Sequence, residues 1–198
     1  MTFTDLEPAA QRMTDLIRAV PDDVLTAPTP CLAYTFGDLL DHVDGVALAF
    51  TAAATKTTLG AAGQPPAGDA SRLGADWRTR IPQRLATLTD AWRDPAARGG
   101  MTSAGGVEMP GDVAAIVALE ELVIHGWDVA RATDQPYDCD EPTLEVVRGL
   151  VAQFAGPDQA ELRGEAYGDP VVVDDAAPLL DRVIGLSGRD PSWSARPR

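Results

Sequence analysis

Apolar residues recur along this chain at intervals of three and four, the period of a helix buried on one face. Leu6, Ala10, Met13, Ile17 and Val20 share such a face, which predicts a first helix from Asp5 to Ala19. Pro8 falls in its first turn, where no amide is needed, and Pro21 stops it. Thr26 to Pro30 reads as extended loop. A second helix starts at Thr35, whose side chain and that of Asp38 form a capping-box-like start; Leu39, Val43, Val46 and Phe50 are its buried stripe.

Lys56 to Ala70, rich in Gly, Pro and Ala, is expected to be a loop, and a mobile one. A third helix is predicted from Ser71 to Trp92 on the repeat Trp77, Ile81, Leu85, Leu88, Trp92, kinked at Pro82, with both tryptophans packed in the core. Arg98 to Gly111 reads as a Gly-rich connector; Gly99-Gly100 and Gly105-Gly106 lack the pattern of a phosphate loop. A fourth helix spans Asp112 to Ala132. A fifth spans Pro142 to Ala155 and ends at Gly156-Pro157. Glu165 to Val173 is read as a short strand or an extended tail, and Ala177 to Leu186 as a last short helix. The expected fold is all-α: a four-helix bundle over residues 1–156, with residues 157–198 as an extension packed on it.

Composition narrows the function. With 45% hydrophobic and 23% charged residues, the chain has the makings of a folded core rather than a disordered segment. A net charge of −14 argues against nucleic acid and anionic lipid as partners. No apolar run is long enough to span a bilayer, and the N-terminus lacks the basic and apolar regions of a signal peptide. The expected location is therefore cytoplasmic, with Cys31 and Cys139 reduced.

The chemistry concentrates in the two histidines, His42 and His125, each midway along a predicted helix among apolar neighbours. A lone histidine on an apolar face is usually a satisfied core residue. Two, on separate helices of one bundle, suggest a shared purpose. Glu121 precedes His125 by four residues, an offset of about 40° that puts both on one helix face; Glu120 lies roughly 140° round and should point elsewhere. Burying a carboxylate beside an imidazole is costly without a partner, and a divalent metal satisfies both. Such pairs along helices also occur as plain ion pairs. Asp38 precedes His42 by four and is a candidate ligand by the same rule, but Thr35 marks it as a helix-start residue. Asp128, three after His125, is expected to orient an imidazole or pair with an arginine. His42, Glu121 and His125 thus form the candidate ligand set. The donors suit zinc first, and also nickel, cobalt, manganese or iron; three protein ligands leave a coordination position open, as in catalytic sites.

The segment from Glu121 to Ala130, ELVIHGWDVA, with FGDLLDHVDG from Phe36 to Gly45, resembles the DinB-like superfamily, and within it the group around mycothiol-dependent maleylpyruvate isomerase. The resemblance runs from about residue 5 to residue 155. The tail from Ala177 to Pro191 looks like a subgroup of small metal-binding members. It implies a four-helix bundle holding a divalent metal, with the family's histidines on His42 and His125 and its glutamate on Glu121. It further implies mycothiol as cosubstrate, activated at the metal against an electrophilic small molecule. The isomerase has a larger C-terminal domain that supplies substrate-binding residues. Only residues 157–198 follow the bundle here, so isomerase activity is not carried over, and Arg131 and Arg189 are given no role.

Three readings result. The first is a metal- and thiol-dependent transferase or isomerase. The second is a non-catalytic metal-binding or sensing module. The third is a structural helical protein in which both histidines only pack. The electrophile, the native metal and the oligomeric state do not follow from the sequence.

Overall fold

The computed structural model describes residues 5–21, 23–57, 67–163 and 167–195. The described chain is mostly helical. The long helices are α1 (Glu7–Arg18), α2 (Phe36–Thr55), α3 (Trp77–Trp92) and α4 (Gly111–Ala132), followed by α5 (Glu141–Val151), the single turn α6 (Ala160–Arg163) and α7 (Leu179–Leu186). Helices α1 and α2 each pack against both α3 and α4. The predicted stripes meet between them: Met13, Ile17, Leu39, Leu40, Ile81, Leu85, Leu88 and Leu122 are fully buried. Trp77 and Trp92 face this core.

Helix α2 starts where its cap dictates. The Thr35 amide donates to the Asp38 carboxylate (2.9 Å), and the Asp38 amide donates back to the Thr35 hydroxyl (3.4 Å). That lock sets the helical phase that turns Leu39, Leu40 and Val43 into the core and leaves His42 half-buried at its edge. The other Asp38 oxygen accepts from the Ala70 amide (2.7 Å). Asp38 is thus a helix-start residue.

Two expectations are corrected and one alternative is removed. The third helix begins at Trp77 instead of Ser71: Ala70–Arg72 forms one 3-10 turn, and Gly74 adopts φ +67°, a left-handed geometry that ends helical propagation before Asp76. The Gly-rich connector is not irregular. Strand β1 (Met101–Ala104) pairs antiparallel with β2 (Val107–Pro110), so the fold carries a small two-stranded sheet and is not purely α. Gly105 and Gly106, at φ +59° and +79°, make the two-residue turn, which requires positive φ at both positions. The Thr102 hydroxyl ties this hairpin to α2 by donating to the Ala53 carbonyl (2.7 Å). In the tail, Val171 to Val173 form no strand with any of the described residues; the Val171 amide donates to the Gly185 carbonyl (2.9 Å). Residues 58–66 of the predicted loop, and 165–166 of the predicted strand, lie outside the described residues.

Helix α5 packs on α4, and α7 packs on α5. Helix α4 is consequently buried on nearly every side, with thirteen consecutive positions from Ala118 to Ala130 broken only by the part-exposed Glu121. No helix among the described residues is long and apolar enough to cross a membrane.

Candidate metal centre

Two helices bring the predicted ligands together. His42 rises from α2, and Glu121 and His125 stand one turn apart on the facing side of α4. Their donor atoms all lie within 4.8 Å of one another. One Glu121 oxygen, Oε2, stands 3.4 Å from His42 Nε2 and 3.2 Å from His125 Nε2. The two imidazoles meet edge to face, centroids 4.8 Å apart, and the Tyr34 ring lies 5.3 Å from His42. The side chains of His42, Glu121 and His125 keep 17%, 23% and 9% of their surface exposed, so the group is reachable from solvent without being bathed in it.

The donor set fits a divalent ion on its chemistry and on its spacing. Two imidazoles and one carboxylate are the ligands of many zinc sites. Ligand atoms about 2.1 Å from a tetrahedral ion stand roughly 3.4 Å from each other, close to the two nitrogen–oxygen separations seen here. Cys31 and Cys139 are free and lie outside this donor group.

Behind the triad runs a second line of buried charge. His125 Nδ1 faces Asp128 Oδ2 at 2.9 Å, and Asp128 has no exposed surface. The Arg189 guanidinium, from the segment after α7, donates to both oxygens of that carboxylate: Nη2 to Oδ2 at 3.1 Å and Nε to Oδ1 at 3.4 Å. Asp128 therefore contacts the His125 imidazole and pairs with an arginine. Arg189, given no role from the sequence, is the residue that reasoning missed. It lies 61 positions from its partner, beyond any helical spacing rule. Arg131 is held elsewhere, on the Trp193 carbonyl. Glu120 does point away from the triad, as helix rotation requires. It is nevertheless buried, with Tyr167 as its hydrogen-bonding neighbour. The signal for that burial was the apolar character of α4 all the way round.

The protonation of the group follows from its partners. Burial pushes the Glu121 carboxyl up, but the bonds to His125 and His42 outweigh it and hold the pKa far below the usual carboxylate range. Burial opposes a proton on His125, yet Asp128 and Glu121 win and raise its pKa to about 9. Asp128 is likewise held low by Arg189 and His125 against its burial. Glu120 shifts the other way, raised by burial and by the neighbouring Glu121 charge.

A pH dependence follows for the metal-free protein. His125 has its pKa raised on folding, from 6.5 to about 9, so its contribution is complete below pH 6.5 and is lost as pH rises through 9. The shift corresponds to about 3 kcal/mol. Urea unfolding of protein freed of metal by a chelator should show that decline between pH 6 and pH 9.5; Glu120, raised to about 8, adds to it in the lower part of that range, and His125→Gln should make the decline shallower above pH 8. An unchanged midpoint in the wild type across this range would contradict the ion pairs described here.

The sequence profile of the family described as "Mycothiol maleylpyruvate isomerase N-terminal domain" matches residues 6–130, which include all three candidate ligands and Asp128. Two relatives come from Mycobacterium tuberculosis: "Uncharacterized protein MT0763" of strain CDC 1551 / Oshkosh and "Uncharacterized protein Rv0738" of strain ATCC 25618 / H37Rv. Each is 30% identical over 194 residues, covering 91% of this chain and 96% of its own length. No solved structure matches the chain.

Proposed function

The chain belongs to the mycothiol maleylpyruvate isomerase N-terminal domain family, a DinB-like family, and on that premise we propose that it is a metal-dependent thiol transferase or isomerase. In this reading the four long helices are a DinB-like bundle, and His42, Glu121 and His125 hold one divalent ion, zinc by preference. Nickel, cobalt, manganese and iron suit the same donors. The observation that carries the proposal is the convergence of two imidazole nitrogens and a carboxylate oxygen within 4.8 Å at the junction of α2 and α4.

When bound, such an ion would supply Lewis acidity, able to deprotonate a thiol at neutral pH. The protein's own residues supply the rest. Glu121 brings the negative charge. His125, its Nδ1 proton held by Asp128, presents Nε2 toward Glu121. The walls of α2 and α4 limit water around the group. His125, whose pKa is raised, would give up a proton on holding an ion near pH 7, so binding would release acid. A cytoplasmic setting, where small thiols stay reduced, suits this role. The proposed partners are a mycothiol-type thiol and an electrophilic small molecule.

A second reading, a non-catalytic metal-binding or sensing module, is favoured by one observation. Arg131 and Arg189, given no substrate role from the sequence, both engage protein acceptors.

Cobalt-loaded protein tests the thiol reading. Adding mycothiol should change its near-ultraviolet and visible absorption, and the change should titrate well below about 8.5, the ordinary pKa of a cysteine-type thiol. A Cys31→Ser, Cys139→Ser double variant should respond identically. No response in the wild type, or a response lost in the double variant, would count against an external thiol. Thiol-dependent turnover of an electrophile separates the transferase or isomerase from the sensing module.

A further inference from the structure

Arg189 lies outside the residues that match the family profile, yet its guanidinium reaches the line of groups behind the candidate ligands. The turn after α7 delivers it. Gly188, at φ +82°, reverses the chain, and the Arg189 amide donates to the Ile184 carbonyl at 3.1 Å, an ending that caps the helix. Its Nη1 donates to the Ser187 carbonyl at 3.0 Å. That anchor fixes the plane of the guanidinium before it meets Asp128.

The contact with Asp128 is two-pronged and sealed from water: side-chain exposure is 7% for Arg189 and none for Asp128. A paired fork constrains the carboxylate plane as well as its position. The constrained carboxylate in turn accepts from His125 Nδ1 at 2.9 Å. An ionised acceptor there obliges Nδ1 to carry the proton, which leaves Nε2 to face Glu121. Each link restricts the next: helix end, guanidinium, carboxylate, imidazole.

We propose that Arg189 is a positioning residue of the metal centre, locking Asp128 so that His125 offers Nε2 to the ion. The inference rests on the metal reading above. The competing account is that Arg189 only ties the C-terminal segment to α4, as Arg131 does through the Trp193 carbonyl.

Zinc affinity of the full chain, measured by competition with a chromophoric chelator, separates these accounts. Asp128→Asn should weaken zinc binding by about 10- to 100-fold, the usual effect of losing a ligand's hydrogen-bond partner. Arg189→Met should weaken it about tenfold, and the double variant should be no weaker than Asp128→Asn alone. Arg189→Lys, which keeps the charge but not the planar fork, should recover part of the loss. Arg131→Met, which cuts a tail contact without touching Asp128, should bind zinc as the wild type does. Should Arg189→Met not fold, Arg189→Lys carries the same cycle with a smaller expected loss. Equal costs of the arginine substitution in the wild-type and Asp128→Asn backgrounds would reduce Arg189 to a tether and overturn the inference. So would wild-type affinity in Arg189→Met. A wild-type chain that takes up no zinc would instead overturn the metal reading, and this inference with it.

Discussion

His42→Ala and His125→Ala should each weaken zinc binding on the order of a hundredfold. Protein zinc sites are worth roughly 10–16 kcal/mol over four ligands, or about 3 kcal/mol for each, which corresponds to about two decades of affinity. Glu121→Gln should fall in the same range, because an amide oxygen carries no charge to offset the ion. Glu120→Gln is the informative control. Glu120 carries the same side chain and is adjacent in sequence, but it hydrogen-bonds Tyr167 and is absent from the converging donor group. Its replacement should have a small fraction of the effect. Equal losses for the two glutamates, measured by chelator competition, would mean that the face of α4 turned toward His42 has been misassigned.

The largest expected effect on folding comes from Asp128→Ala. Asp128 is fully buried between the Arg189 guanidinium and His125. Removing it strands a buried cation that has no solvent to turn to. Breaking one side of a buried ion pair costs about 3–5 kcal/mol. In a chain of this size that lowers the melting temperature by roughly 10 °C. Asp128→Asn keeps the shape and one acceptor and should cost less. Calorimetry on metal-free protein separates this from any loss of bound ion. A drop of less than about 2 °C for Asp128→Ala would show that water reaches Arg189 readily and that the pair is not sealed.

The long helices were legible in the sequence because their apolar stripes are uninterrupted and α2 carries its own cap in Thr35 and Asp38. The start of α3 was not. The periodic residues begin only at Trp77, and the preceding segment contains Gly74, whose left-handed conformation ends any earlier helix. The hairpin was hidden for a different reason. Its strands, MTSA and VEMP, are four residues long and weakly apolar, so only the Gly105-Gly106 pair between them announced the turn.

The candidate triad was readable because Glu121 and His125 obey a local rule and the chain has only one other histidine. The support behind it divides along the same line. Asp128 sits within one helical turn of His125 and could be suspected. Arg189 and Tyr167 come from distant segments, and no local periodicity points from them to α4. Helix rotation placed Glu120 off the ligand face correctly. It did not reveal that α5 and residues of the tail cover α4 on its other faces.

The most direct test of the account is elemental analysis of the protein purified without a histidine tag, before and after equilibration with zinc and removal of excess ion. The account predicts close to one divalent metal per chain, lost when His42 or His125 is replaced by alanine. A folded wild-type chain that retains no divalent metal after exposure to zinc, nickel, cobalt, manganese or iron would contradict it, as would full occupancy in both histidine variants.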